Sequence, residues 1–152
     1  MTQASRAIYR YELAVPTEAI DGNGHLNNVE YVRLMQEVAI AHVKSTLGAE
    51  ETTKAGATWI ARSHHIDYLR PAFEPDQLII LTWCASIRRV RAQRQYRFFR
   101  KRDRTLIASG ETDWIFADIK TGRPRSIPPT VTAAFEILSE NIAPETLADN
   151  FI

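Results

Sequence analysis

The stretch NVEYVRLMQEVAIAHVKSTL, residues 28–47, limits the fold of this chain more than any other. Set at helical steps of 100°, its charged side chains Glu30, Arg33, Glu37 and Lys44 gather in one narrow stripe. Nearly everything else is apolar or small, including Val29, Tyr31, Leu34, Met35, Val38, Ala41 and Val43. A helix of that composition calls for cover on most of its circumference. Asn27 or Asn28 is a suitable N-cap, because a side-chain oxygen there accepts from a free backbone N–H, and Gly48 is a suitable C′ residue.

The remaining segments supply the cover. Residues 7–15, AIYRYELAV, alternate well enough for a strand that Pro16 ends. After the helix come four β-like segments at about 57–69, 77–87, 92–101 and 105–118. RPAFEPD carries two prolines and breaks the first from the second, while RRVR and KRDR are compact polar hairpin candidates. TGRP at 121–124 is a further turn, and Pro128 and Pro129 fit the opening of a last short helix near 129–139. One strand, one enclosed helix and four consecutive strands joined by tight turns predict an α+β chain whose antiparallel sheet curls around the helix.

With 152 residues, 45% hydrophobic, and neither repeat nor linker, residues 1–152 are expected to form a single domain. Nineteen basic against eighteen acidic residues leave a net charge of +1, so no global charge suggests a nucleic-acid or membrane-surface partner. The single cysteine, Cys84 within LIILTWCASI, reads as a small core residue. The N-terminus MTQASRAIYRYEL lacks the apolar run of a signal peptide, and the expectation is a soluble, cytoplasmic chain. No His/Asp/Cys set has ligand spacing, so no metal is expected.

Directly before the helix stands DGNGHLNN, residues 21–28. Taken alone, Asp21 in this octapeptide is an Asx-turn residue that shapes the loop, since Asp-Gly and Asn-Gly are turn signals anywhere. A carboxylate just upstream of a helix N-terminus also has a chemical use, because free N–H groups and the positive end of the helix dipole favour a developing oxyanion.

DGNGHLNNVEYVRLMQE resembles the D-x-x-G-H-x-N-N-x-x-Y signature of hotdog-fold acyl-CoA thioesterases of the 4-hydroxybenzoyl-CoA thioesterase type. IDYLRPAFEPDQL is similar to that family's second-strand and turn segment, and TGRPRSIPP to its terminal segment, so the resemblance runs from about residue 8 to residue 130. It implies the hotdog fold and hydrolysis of an acyl-CoA to a carboxylic acid and free CoA. Asp21 matches the catalytic carboxylate, as nucleophile or general base; the backbone N–H of Asn28 matches the polarising donor, and Gly24 lets the chain approach the substrate.

Other positions keep two meanings. His25 either orients the thioester or a water, or is a structural histidine. Asn27 and Asn28 have side chains suited either to capping and bracing the loop or to steering the attacking water at the substrate, and Tyr31 to core or substrate-binding acyl-pocket wall. Glu37 is where some hotdog thioesterases use a helix carboxylate, but an i,i+4 ion pair with Arg33 explains it equally, and Gln36 stands where relatives often carry an acid. His64 and His65 point to opposite faces of a strand.

Arg88, Arg89, Arg91 and Arg94 cluster at one hairpin, either as edge-protecting charges or, as the resemblance implies, holding the nucleotide end of CoA together with Arg123 and Arg125. No cofactor is implied beyond the CoA of the substrate. The resemblance further implies a homodimer or homotetramer with sites at the subunit interface. Alternatives of other classes are a non-catalytic acyl-CoA-binding or sensing module and an acyl-carrier-protein thioesterase.

Overall fold

The computed structural model describes residues 7–152. β1 (Tyr9–Ala14) leads through a short 3-10 turn (Thr17–Ala19) to the long helix α1 (Asn28–Lys44), followed by a short helix α2 (Gly48–Lys54). Four strands come next, β2 (Ala57–Tyr68), β3 (Gln77–Arg88), β4 (Arg91–Arg100) and β5 (Thr105–Asp118), then the short α3 (Pro129–Thr132) and the closing helix α4 (Pro144–Phe151). The strands form one antiparallel five-stranded sheet in the order β1-β3-β4-β5-β2. The expected strands and both hairpins are present: Arg89 and Arg104 turn the chain with φ of 52° and 59°.

α1 lies across the concave face of the sheet. Tyr31, Leu34, Met35 and Val38 pack there against Leu78, Ile80, Tyr96, Phe98 and Ile107 to make the main core. The approach is close at Gly110 of β5, where a Cβ would stand 3.0 Å from the Met35 sulfur. Side chains on the opposite face, Ile79, Leu81, Trp83 and Phe99, form a second core with Leu147 and Ala148 of α4. Burial on both faces accounts for the unbroken apolar run LIIL in β3, which a one-sided strand would not need.

Several expectations are corrected. Gly48 does not end α1; Ser45 is the C-cap, and Gly48 opens α2, where a Cβ would stand 2.8 Å from the Phe135 ring. Close packing, and not a left-handed turn, requires glycine there. The helix expected over 129–139 stops at Thr132, because the chain then runs alongside β3, with Ile137 bridging Cys84. Neither α2 nor α4 was foreseen. Cover on α1 is also less complete than its composition demands: Tyr31, Leu34, Met35, Val38, Ala39 and His42 are buried, while Val29 and Ile40 are 70% and 50% exposed. A single curled sheet reaches only one side of a helix, and the other apolar side has no partner among the described residues.

Candidate active site

The loop before α1 is tied down at several points. The Leu26 N–H donates to the Ala72 carbonyl at 2.8 Å and the Asn27 N–H to the Ala19 carbonyl at 2.9 Å, while Ile20 and Leu26 form a β-bridge across the loop. Within it the Asp21 N–H donates to the His25 carbonyl at 2.8 Å, and Gly24 takes a φ of 78°, the left-handed region that favours glycine. Oδ1 of Asp21 accepts from the N–H groups of Asn23 at 2.8 Å and His25 at 3.2 Å, an Asx-type turn. Asp21 therefore shapes the loop through one oxygen, and Oδ2 accepts no hydrogen bond among the described residues.

The helix start is ordered by Asn27. Its side-chain oxygen accepts from the Val29 N–H at 3.1 Å, and its carbonyl accepts from the Glu30 N–H at 2.9 Å. Those bonds satisfy two of the donors that a helix N-terminus leaves open. The N–H of Asn28 has no acceptor among the described residues, so the amide nearest the Asp21 loop is the one left free at the positive end of the helix.

Aromatic side chains make the surroundings. The His25 ring meets Phe73 edge-on at 5.2 Å. The Tyr68 hydroxyl donates to the Asn28 carbonyl at 2.9 Å, and its ring meets Tyr31 at 5.1 Å. Tyr31 itself is 2% exposed, and burial holds its hydroxyl protonated with a pKa pushed up to about 12. It is a core residue under the loop. Asp21, Gly24, His25, Asn27 and Asn28 thus stand together at one end of α1, over Tyr31 and Tyr68.

The arginine hairpin is at the other end of the sheet. Arg91 pairs through Ile115 of β5 with Ile60 of β2, whereas the Asp21 loop adjoins Tyr68, eight residues further along the same strand and roughly 25 Å away. Arg88, Arg89 and Arg91 border a groove of about 450 Å³ with Ser86, Gln93 and Asp113. Arg91 donates to Asp113 at 2.7 Å, while Arg88 and Arg89 are exposed and form no ion pair among the described residues. Two residues named with them have other work. Arg125 donates to the Ala55 carbonyl at 2.6 Å and faces Asp118 at 3.7 Å, and Arg94 turns inward, 4% exposed, beneath α1.

Glu37 forms the expected ion pair with Arg33, at 2.9 Å. His64 and His65 do divide between the faces, with His64 bonded to Thr112 at 2.8 Å and His65 beside Asp67 at 3.3 Å. Cys84 is buried, which raises the pKa of its thiol. Among the described residues no group of three or more His, Cys, Asp or Glu has an arrangement that could hold a metal, and no helix is long and apolar enough to cross a membrane.

A curled antiparallel sheet laid over one long helix, with a turn-rich loop feeding the helix N-terminus, defines a hotdog protein. The chain belongs to the thioesterase-like superfamily, whose family model matches residues 15–135. Among curated proteins none matches it. Similar solved structures include a 1,4-dihydroxy-2-naphthoyl-CoA thioesterase from Synechocystis, 17% identical over 84% of this chain and 94% of that one, with a TM-score of 0.73. A DHNA-CoA thioesterase from Staphylococcus aureus is 19% identical over 78% and 80%, with a TM-score of 0.70. Another Staphylococcus aureus protein, solved in complex with CoA, is 16% identical over 87% and 88%, with a TM-score of 0.76. At such identities the likeness is one of fold.

Proposed function

We propose that this protein hydrolyses an acyl-CoA thioester to a carboxylic acid and CoA, as the 4-hydroxybenzoyl-CoA thioesterase type does. The observation that carries the proposal is the unpartnered N–H of Asn28 at the start of α1, beside a loop whose carboxylate, Asp21, keeps one oxygen free. The thioester carbonyl accepts from that amide. Asp21 either attacks the carbonyl carbon, giving a mixed anhydride that water opens, or takes a proton from the attacking water. In both routes the negative charge that develops on the carbonyl oxygen meets a fixed donor at the positive helix end, and CoA leaves as its thiolate. His25 and the Gly24 turn line the approach. No cofactor or metal takes part.

The nucleotide end of CoA needs cations, and one chain keeps Arg88 and Arg89 too far from its own Asp21. β2 forms an edge of the sheet, and the uncovered side of α1 carries Val29 and Ile40. A second copy pairing antiparallel along β2 extends the sheet, covers that side of the helix, and brings its arginine hairpin to the first copy's Asp21 loop. The proposed working unit is therefore a homodimer, alone or within a tetramer, with two composite sites.

Purified protein assayed against a panel of acyl-CoAs with a thiol reagent should release CoA, and undiminished release by Asp21→Ala would reject Asp21 as the chemical residue. A second reading, a non-catalytic acyl-CoA-binding module, draws on the use of Asp21 Oδ1 in loop hydrogen bonds. It predicts saturable acyl-CoA binding with no release by the unaltered protein.

A further inference from the structure

Beneath the C-terminal half of α1 lies a buried cation that the proposed hydrolysis does not use. Arg94 of β4 is 4% exposed. Its Nη1 donates to Nδ1 of His42 at 2.8 Å and to the Thr82 hydroxyl at 3.2 Å. Both partners are neutral. The Thr82 hydroxyl donates its own hydrogen to the Gln95 carbonyl at 2.9 Å, so it can only accept from the arginine. His42 is likewise an acceptor at Nδ1, since burial, with the neighbouring guanidinium adding to it, pushes its pKa down to about 3. The Tyr9 ring stacked on His42 at 5.4 Å brings no negative charge.

No carboxylate completes the set. Arg94 forms no ion pair with any described residue. Glu136, whose Oε2 is buried without a partner, forms none with it either. A guanidinium keeps its proton at any physiological pH, so a full positive charge stands in the interior with only dipoles around it. Leaving a buried charge without a counter-ion is among the costlier arrangements in a folded protein, and such a group is explained most simply by an anion that arrives from outside.

There is room for one. A cavity of about 400 Å³ opens over Arg94, within the range of small-molecule sites; Ile87, Trp59, Trp114, Val43, Phe135 and Ala39 give it a largely apolar wall, and the exposed Lys44 is the other charged residue that lines it. Arg94 lines this cavity, and its Nη2 and Nε groups make no hydrogen bond to a described residue. A planar fork of N–H groups matches the two oxygens of a carboxylate.

We propose that the cavity over Arg94 is a binding site for an apolar carboxylic acid, whose hydrocarbon or aryl body lies against Trp59 and Trp114 and whose carboxylate closes on the Arg94 guanidinium. The ligand has two sources. It is the far end of an acyl group bound as its CoA thioester, in which case the substrate is an acyl-CoA with an acidic terminus, or it is a separate acid. The cavity is roughly four helical turns, about 20 Å, from the Asn28 amide of the same chain. An acyl group therefore enters it from the partner's site in the proposed antiparallel dimer. That source rests on the proposed hydrolysis; the binding of an apolar acid does not.

Binding is read first, without turnover. Two of the three tryptophans line the cavity and the third, Trp83, is on the other face of the sheet, so titration of intrinsic fluorescence reports on occupancy. The unaltered protein should bind 4-phenylbutyrate saturably and its carboxamide roughly tenfold to a hundredfold more weakly, the span of a charge-assisted pair. Arg94→Met should bind acid and amide alike, whereas Lys44→Met should keep the preference for the acid, and a preference lost in Lys44→Met but kept in Arg94→Met overturns the assignment to Arg94; Asp21→Ala should bind the acid as the unaltered protein does. Equal affinity of the unaltered protein for acid and amide overturns the proposal, as does no saturable binding of the acid; that comparison needs no variant to fold. Turnover of adipyl-CoA and hexanoyl-CoA then separates the sources. A preference for the acidic thioester that disappears in Arg94→Met assigns the acyl tail, and acid binding without such a preference assigns a separate ligand.

Discussion

Replacing Asn28 by proline removes its backbone N–H together with a side-chain amide that makes no hydrogen bond to a described residue. Asn28 is the first residue of α1, the position where a helix tolerates proline best, because the N–H there has no intrahelical acceptor and the helical φ suits the ring. The residue before a proline must be extended, and Asn27 already is, with φ −61° and ψ 134°. Both Asn27 capping bonds go to Val29 and Glu30, and the Tyr68 hydroxyl uses the Asn28 carbonyl, so none of the three involves the lost hydrogen. Stability should stay within about 0.5 kcal/mol, the range of a neutral surface change. Activity should not. Loss of one oxyanion donor costs about 2.7–4 kcal/mol in the transition state, so kcat should fall roughly 100- to 1000-fold. Asn28→Ala keeps the N–H and removes the side chain, and should retain most of the activity. Thiol release from a hydrolysed acyl-CoA measures kcat, and a thermal melt checks the fold. Full activity in Asn28→Pro refutes the amide as oxyanion donor, and equal losses in both variants move the role to the side chain.

Three further outcomes follow from the packing and the charges. His42 has a folded pKa of about 3 against about 6.5 unfolded, so the unfolded chain binds the extra proton between those values and stability falls as pH drops from 6.5 towards 3. From pH 7 to pH 5 this amounts to about 2 kcal/mol; denaturant unfolding at fixed protein concentration should show that much less pH dependence in His42→Gln, and an unchanged dependence contradicts the neutral buried histidine. Gly110→Val sets a side chain against the Met35 sulfur and the His65 carbonyl, 3.0 and 3.3 Å from the Cβ position, and should destabilise by about 1–3 kcal/mol; an unaltered melting midpoint would mean α1 does not press on β5 as described. Arg88→Ala with Arg89→Ala should raise KM for acyl-CoA and spare kcat, with a gap that narrows as salt is added; an equal rise at all ionic strengths points away from phosphate.

β2 to β5 were legible because each runs ten residues or more and is closed by a turn of clear chemistry, and β1 because it alternates and ends at Pro16. The boundaries of β5 follow directly from KRDR before it and TGRP after it. α2 was not legible, since GAEETTK carries too few apolar residues for a periodic signal, and α4 was not because eight residues, although Leu147, Ala148 and Phe151 share a face, are too short to stand as a helix without the tertiary contacts that hold them. The site divided in the same way. Asp21, Gly24 and the Asn27 cap follow from local turn and capping chemistry, which a sequence expresses within a few residues. Arg94 does not, because its neighbours in sequence are the exposed arginines of the hairpin. The signal was present in the alternation of Ala92, Arg94, Tyr96 and Phe98, which assigns Arg94 to the helix-facing side of β4.

The roughly 25 Å between the Asp21 loop and the Arg88 hairpin has a genetic meaning. In the proposed dimer each site takes its carboxylate from one copy and its arginines from the other, so a lesion in either element is not confined to the chain that carries it. Asp21→Ala chains and Arg88→Ala, Arg89→Ala chains, each defective alone, would yield one intact site and one doubly damaged site in every mixed dimer. Co-refolded in equal amounts and assayed at acyl-CoA well below KM, where the arginine variant is defective, the two proteins should recover roughly a quarter of the activity of the unaltered protein, as random pairing of copies requires. Two alleles of this kind would complement one another within a cell, although both damage the same active site.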